Sequence, residues 1–324
     1  MRSWRFLLRS LRPHAQRFKP VILVTGCSSG IGLALARLLY TADEYCVIVS
    51  ARRTSLEFLK LQFPESERFR VRELDVADSE QREKLVAEIE RDWRGVNILV
   101  NNAGIAYRAV IEHMTEEDEQ IQMATNYFGP AALIRQTLSG MRELGRGKII
   151  NVSSVSGMLA MPTMSAYSAS KHALEGLSEA LWYEARPLGI SVSLIQPGFI
   201  RSRSFRRVRY TSRSHPDIQS QPWDENQTPY SDYYHNMTPF IERLMNLSFS
   251  TSESVAKLIL KTIRAENPPL WIPATLDARL FYFFHRFIPR RLLHPILFLA
   301  LPGARHWAKR YSKRRAYRAQ TQVK

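Results

Sequence analysis

The stretch Tyr167-Ser168-Ala169-Ser170-Lys171 places a phenol four residues before an amine. On a helix that spacing stacks both side chains on one face, a turn apart. An ammonium beside a phenol favours the phenolate and lowers its pKa. A tyrosine so tuned can give or take a proton near neutral pH. The pair by itself is a weak signal. It gains weight from Thr25-Gly26-Cys27-Ser28-Ser29-Gly30-Ile31-Gly32, a glycine-rich turn between an apolar run and a helical pattern. Backbone amides at the helix N-terminus behind such a turn can approach a pyrophosphate. Together the two motifs point to carbonyl and alcohol redox chemistry with a nicotinamide dinucleotide.

A dinucleotide lacking a 2′-phosphate is usually held by a carboxylate at the end of the second strand. Here that end reads Ser50-Ala51-Arg52-Arg53, with no acid. Arginines there favour a 2′-phosphate through charge-assisted hydrogen bonds, so NADP(H) is expected over NAD(H). Ser28 could add a hydroxyl contact. The competing reading makes one or both arginines solvated loop residues.

The elements that must position these groups follow from the apolar pattern. Short segments at 21–24, 47–50, 70–74, 97–100, 148–152 and 191–195, most of them apolar, predict strands, with 270–272 as a candidate last one. Helical patterns lie near 31–40, 80–91, 116–140, 165–186 and 252–265. Apolar strands alternating with helices predict an α/β fold with a doubly wound, Rossmann-like parallel sheet. Residues 203–250 break that rhythm and read as a polar, aromatic-rich insertion, a lid or disordered segment shaping the substrate pocket. The organisation expected is an N-terminal basic arm (1–19), a catalytic domain (20–275) and an apolar-basic helical extension (276–324). Four Asn-x-Ser/Thr sequons occur, the first at Asn151 in a predicted core strand.

The motifs resemble those of the short-chain dehydrogenase/reductase family, over about residues 20–202 and the helix near 252–265. Within that resemblance Gly26, Ser28, Ser29, Gly30, Ile31 and Gly32 correspond to the cofactor fingerprint, and Asp75 and Val76 to an adenine-contacting pair. Asn102, Ala103 and Gly104 correspond to the loop beside the cofactor, and Asn126 to a helix-bulge asparagine. Ser154 matches the catalytic serine, thirteen residues before Tyr167, and Lys171 the catalytic lysine. Pro197, Gly198, Ile200 and Ser202 match the nicotinamide-side loop, with Ser202 replacing the usual threonine. The resemblance implies that Ser154 holds a substrate carbonyl and that Tyr167 is the acid/base. Lys171 would tune the tyrosine and bond the nicotinamide ribose, and Asn126 would hold a water relaying protons. The alternatives are a loop-capping role for Ser154 and an ordinary polar helix position for Asn126. The hydroxysteroid and retinol dehydrogenases are the most similar branches, which implies a lipophilic substrate such as a steroid, retinoid or long-chain lipid, and a possible homodimer.

The net charge of +16 sits at the ends. Residues 1–20 hold six basic and no acidic residues, residues 279–324 hold twelve and none, and the middle is nearly neutral with 28 against 30. Leu276, Leu280, Phe283, Phe284 and Phe287 share one helical face, with Arg279 and Arg286 on another. Apolar-aromatic helices flanked by polybasic residues suit the plane of a membrane interface; covering the substrate cleft is the other use of such helices. No run reaches the roughly 20 apolar residues of a spanning helix, so peripheral, cytosol-facing membrane association is expected. Two cysteines, Cys27 and Cys46, offer neither a disulfide framework nor a metal cluster. The alternatives in other classes are a basic nucleic-acid-binding protein and a non-catalytic cofactor-binding scaffold. The neutral middle and the absence of a recognised binding motif weigh against nucleic acid.

Overall fold

Val21–Val24 (β1) shows why the chain builds a two-sided sheet. All four residues are buried, and they alternate: Ile22 and Val24 join the core on one face, Val21 and Leu23 the core on the other. A strand covered on both faces needs no polar side, hence the unbroken apolar run. The computed structural model describes residues 19–201, 208–214, 229–307 and 309. Its sheet has seven strands, adding Cys46–Ala51 (β2), Phe69–Glu73 (β3), Ile98–Asn101 (β4), Gly147–Val152 (β5), Ile190–Gln196 (β6) and Trp271–Pro273 (β7). All pairs are parallel, in the order β3-β2-β1-β4-β5-β6-β7. The winding reverses between β1 and β4, which opens a crevice at the carboxyl ends of these strands.

On one face, Gly30–Thr41 (α1), Arg53–Gln62 (α2) and, from far along the chain, Ser252–Arg264 (α8) supply Leu35, Leu59, Val255 and Ile259 to the core. On the other, Ser79–Trp93 (α3), Gly129–Glu143 (α5) and Ser165–Ala185 (α6) supply Leu85, Ile89, Leu133, Met141 and Leu181. The α8 helix starts cleanly because Thr251 and Ser254 form a reciprocal capping box.

Three elements differ from the sequence expectation. The α2 helix was not foreseen, since Leu59 is the only fully buried residue among its ten. The helix expected over 116–140 is two helices, Glu116–Met123 (α4) and α5, joined by a π-turn over Ala124–Phe128. Within the insertion at 203–250 lies a seventeen-residue helix, Ser231–Leu247 (α7), despite Pro239 in its interior. Its buried Tyr234 phenol is held by the Val110 amide and the His113 ring, each at 2.9 Å. Asn151 is fully buried in β5 and bonded to Asn101 and Ser178, so its sequon is an accident of core packing.

The C-terminal extension folds as Leu276–Phe287 (α9) and Arg290–Ala300 (α10). Its inner side, Ala278 and Leu293 with Phe281 and Tyr282, packs on Val155, Met158 and Leu159. At the start of α9, Thr275 Oγ1 accepts from the Gly198 amide (2.9 Å) and Asp277 Oδ2 from the Phe199 amide (2.8 Å). The outer side is apolar and exposed: Leu276, Leu280, Phe283, Phe284, Phe287, Leu292, Ile296, Phe298 and Leu299. Among the described residues no helix is long and apolar enough to cross a membrane. The basic arm (1–18) and the tail beyond Lys309 lie outside the described residues.

Candidate active site

The Tyr167/Lys171 pair sits in the first two turns of α6, where the four-residue spacing places both side chains against the end of β5. Lys171 Nζ donates to the Val152 carbonyl at 2.9 Å and lies 5.8 Å from the centroid of the Tyr167 ring. Two residues on, Ser154 hydrogen-bonds the Tyr167 phenol. Its Oγ also accepts from the Ser156 amide at 3.1 Å, capping the short 3-10 turn Val155–Gly157. The capping bond and the hydrogen bond to the tyrosine are made by the same Ser154 hydroxyl.

The electrostatics differ from the expectation. Burial pushes the Tyr167 phenol above its usual range, and the Ser154 hydrogen bond only partly opposes it. Burial also pulls Lys171 down to about 8, with the Glu175 charge opposing. The expected lowering of the tyrosine by its lysine does not set the shift: desolvation of the phenolate raises it, and the opposing contribution comes from Ser154.

Asn126 occupies the π-turn and is almost fully buried. Its Nδ2 donates to the Ile105 carbonyl (2.9 Å) and to Ser170 Oγ (3.0 Å), and its Oδ1 accepts from the Ile105 amide (2.9 Å). The side chain thus fastens the loop after β4 to α6. These bonds use both Nδ2 hydrogens and one lone pair of Oδ1.

The glycine turn is zipped to the same loop. Thr25 Oγ1 accepts from the Asn102 and Ala103 amides, and Asn102 Nδ2 donates to the Thr25 and Gly26 carbonyls at 2.9 and 3.0 Å. A Cβ on Gly26 would meet the Ala103 Cα at 2.6 Å, so close approach dictates that glycine. Gly30 is different: it has φ +57° and nothing within 4 Å of a Cβ, because it faces open space at the start of α1. That space belongs to a cleft of about 460 Å³ along the carboxyl edge of the sheet.

Lining the cleft are Gly26, Ser28, Ser29, Gly30, Ile31, Arg52, Asp75, Val76, Asn102, Ala103, Gly104, Ser154, Tyr167, Lys171, Pro197, Gly198 and Ile200. Gly32, Arg53 and Asn126 do not line the cleft; Arg53 is the exposed first residue of α2. Ser202 lies outside the described residues. The structure adds Arg108, Met161, Met164, Ile241 and Met245 to the wall. The last two project from α7, and the four-residue spacing of Met237, Ile241 and Met245 was the available signal for that helix. The open cradle over the α1 N-terminus, with Arg52 and Asp75 at one end and Tyr167 at the other, fits an elongated, anionic dinucleotide.

A doubly wound parallel sheet with serine, tyrosine and lysine meeting beside a glycine-lined cleft defines a Rossmann-like oxidoreductase class. The family model described as short chain dehydrogenase matches residues 20–212. A 3-ketodihydrosphingosine reductase of Bacteroides thetaiotaomicron is 32% identical over 249 residues, covering 77% of this chain and 85% of the relative. A dehydrogenase/reductase SDR family member 7B of Xenopus laevis is 27% identical over 325 residues, 98% of this chain and 91% of the relative. The crystal structure of a short-chain dehydrogenase from Streptomyces avermitilis superposes with a TM-score of 0.70 at 31% identity, over 87% of this chain and 97% of that one. The chain belongs to the short-chain dehydrogenase/reductase family and is an oxidoreductase. None of these similarities favours the nucleic-acid-binding or scaffold alternatives.

Proposed function

We propose that this protein reduces or oxidises a carbonyl/alcohol pair on a lipophilic substrate, with NADP(H), at a membrane surface. The observation that carries the chemistry is the junction of Ser154, Tyr167 and Lys171 inside the cleft. When bound, the nicotinamide supplies or accepts the hydride. Ser154 Oγ orients the substrate oxygen by hydrogen bond and stabilises charge developing on it. Tyr167 Oη holds the proton that this oxygen gains on reduction. Its raised pKa keeps it protonated, suited to acting as the acid. Lys171 Nζ holds positive charge beside the phenol and restrains the end of β5.

Arg52, at the cleft where a carboxylate would select NAD(H), supports the 2′-phosphate reading. A lipophilic substrate is supported by Val155, Met161, Met164, Phe199, Ile241 and Met245 in the cleft wall, and by the named activity of the Bacteroides relative. The membrane reading is supported by the exposed apolar face of α9 and α10, flanked by Arg279, Arg286, Arg290 and Arg291. Each cation near an anionic surface contributes on the order of 1 kcal/mol. Self-association through that face would bring like charges together, which favours lipid as its partner. A homodimer would use α4, α5 and α6, with the exposed Phe128 in the turn between α4 and α5 and Tyr183 on α6.

The test is NADPH consumption by the full-length protein in mild detergent, against steroid ketones, retinal, long-chain ketones and small carbonyl controls, repeated with NADH. Turnover confined to lipophilic carbonyls with NADPH is the expected result. Preference for small carbonyls overturns the substrate reading, and preference for NADH the cofactor reading.

A further inference from the structure

One turn beyond Lys171 on the same face of α6 stands a buried acid, Glu175, which is 6% exposed. Tyr167, Lys171 and Glu175 recur at four-residue intervals, so they form a single ladder along the helix. Each rung grips one of three consecutive residues at the end of β5. Lys171 takes the Val152 carbonyl at 2.9 Å, Glu175 Oε1 accepts from Ser153 Oγ at 2.6 Å, and Tyr167 meets Ser154.

The carboxylate reaches further. Glu175 Oε1 also accepts from Gln196 Nε2 at 2.9 Å, and Gln196 is the last residue of β6, immediately before Pro197 and Gly198 of the cleft. The turn behind Ser154 rests directly on it: a Cβ on Gly157 would lie 2.4 Å from Oε1. One acid therefore joins the serine strand, the serine turn and the strand leading to the nicotinamide-side loop. A glutamine or aliphatic residue would be cheaper to bury if packing were the only requirement. Burial raises the Glu175 carboxyl above its usual range, opposed by the Ser153 and Gln196 hydrogen bonds; the ionisable groups around it are Lys171 and His172, both on α6. The β5, β6 and turn residues that touch it (Ser153, Gln196 and Gly157) are neutral.

We infer that Glu175 is a positioning residue of the reaction: its carboxylate fixes Ser153 and Gln196, and with them Ser154 and the loop after β6, while its negative charge keeps Lys171 in the ammonium form. This rests on the Tyr167/Lys171 chemistry proposed above and adds a fourth member acting through it. The charge relation has a sign. Lys171 is held down near 8 by burial and supported by Glu175, so removing the carboxylate lowers the lysine further.

The experiment compares wild type with Glu175→Gln and Glu175→Asp. Lysine 13Cε NMR follows the titration of Lys171, assigned by its loss in Lys171→Arg, and kcat is followed against pH where turnover is measurable. Glu175→Gln is expected to fold and to move the Lys171 midpoint down by about one pH unit. The alkaline limb of kcat follows it, and Glu175→Asp, which keeps the charge, returns the midpoint toward wild type. A Lys171 midpoint unmoved in folded Glu175→Gln overturns the inference, as does a midpoint shifted equally in Glu175→Asp. If Glu175→Gln does not fold, Ser153→Ala decides: it removes the donor to the carboxylate and keeps the charge, so a lowered kcat with the Lys171 midpoint unmoved supports the inference, and an unchanged kcat overturns it. Absence of turnover in wild type overturns the functional reading and leaves the NMR titration to decide Glu175.

Discussion

Tyr167 and Lys171 are each pushed away from their charged form by burial, the phenol upward and the amine down to about 8. Two predictions belong to these side chains. Tyr167→Phe keeps the ring in place and removes the proton carried on Oη; kcat is expected to fall by about 10²–10⁴-fold, with cofactor affinity retained in a fluorescence titration. For Lys171 the folded pKa lies below the usual 10.5, so the ammonium is present below about 8 and lost as pH rises through that value. A reduction that needs the ammonium should therefore decline above about pH 8. Stability has the opposite slope: between about 8 and 10.5 the unfolded chain binds the proton that the folded chain has released, so this residue's contribution rises with pH in that window. A pH series of kcat alongside thermal melts separates the two. Arg52 carries the third prediction. Arg52→Ala is expected to raise KM for NADPH by about 10- to 100-fold, the worth of one lost charged hydrogen bond or salt-bridged contact, and to leave KM for NADH nearly unchanged.

At the level of elements, the sequence was readable wherever burial imposed a simple period. β1 and Ile98–Val100 of β4 are short uninterrupted apolar runs because both their faces are covered, and α8 carries a strong apolar stripe. Legibility failed where tertiary contacts decide. The α2 helix buries too little to leave a stripe. The π-turn at Asn126 follows from side-chain bonds to Ile105 and Ser170, far away in the chain. The α7 helix hides behind Pro239 and a tyrosine-rich stretch, and is held by Tyr234 reaching His113 over more than a hundred residues. Of the candidate site, the motif residues that touch the cleft were legible, whereas Arg108, Met161, Met164, Ile241 and Met245 belong to no motif. Glu175 was not legible either, because its partners Ser153 and Gln196 come from two strand ends that only the folded sheet brings together. For α7, replacing Ile241 by Ala is expected to weaken binding of lipophilic carbonyls by several-fold while small carbonyls react as before, since only a substrate reaching the α7 side of the cleft touches it. KM values for a chain-length series check this.

Over the whole molecule, charge and apolar surface are segregated from the chemistry. The catalytic sheet is nearly neutral, whereas α9 and α10 gather exposed phenylalanines and leucines with arginines around them. Replacing Leu280, Phe283 and Phe287 together by Ser is expected to abolish sedimentation with vesicles containing phosphatidylserine, while turnover in detergent persists. Binding of the wild type should fall as salt rises, because the arginine contribution is screened.

Removing the extension is a different matter from blunting its outer face. Thr275 and Asp277 receive the amides of Gly198 and Phe199, and Ala278 and Leu293 lie under the turn that follows Ser154. A chain shortened before residue 275 to improve its handling in solution would strip two acceptors from the loop after β6 and uncover the floor beneath Ser154. Such a truncation would loosen the cleft wall at Gly198 and Phe199, and its inactivity would say nothing about lipid.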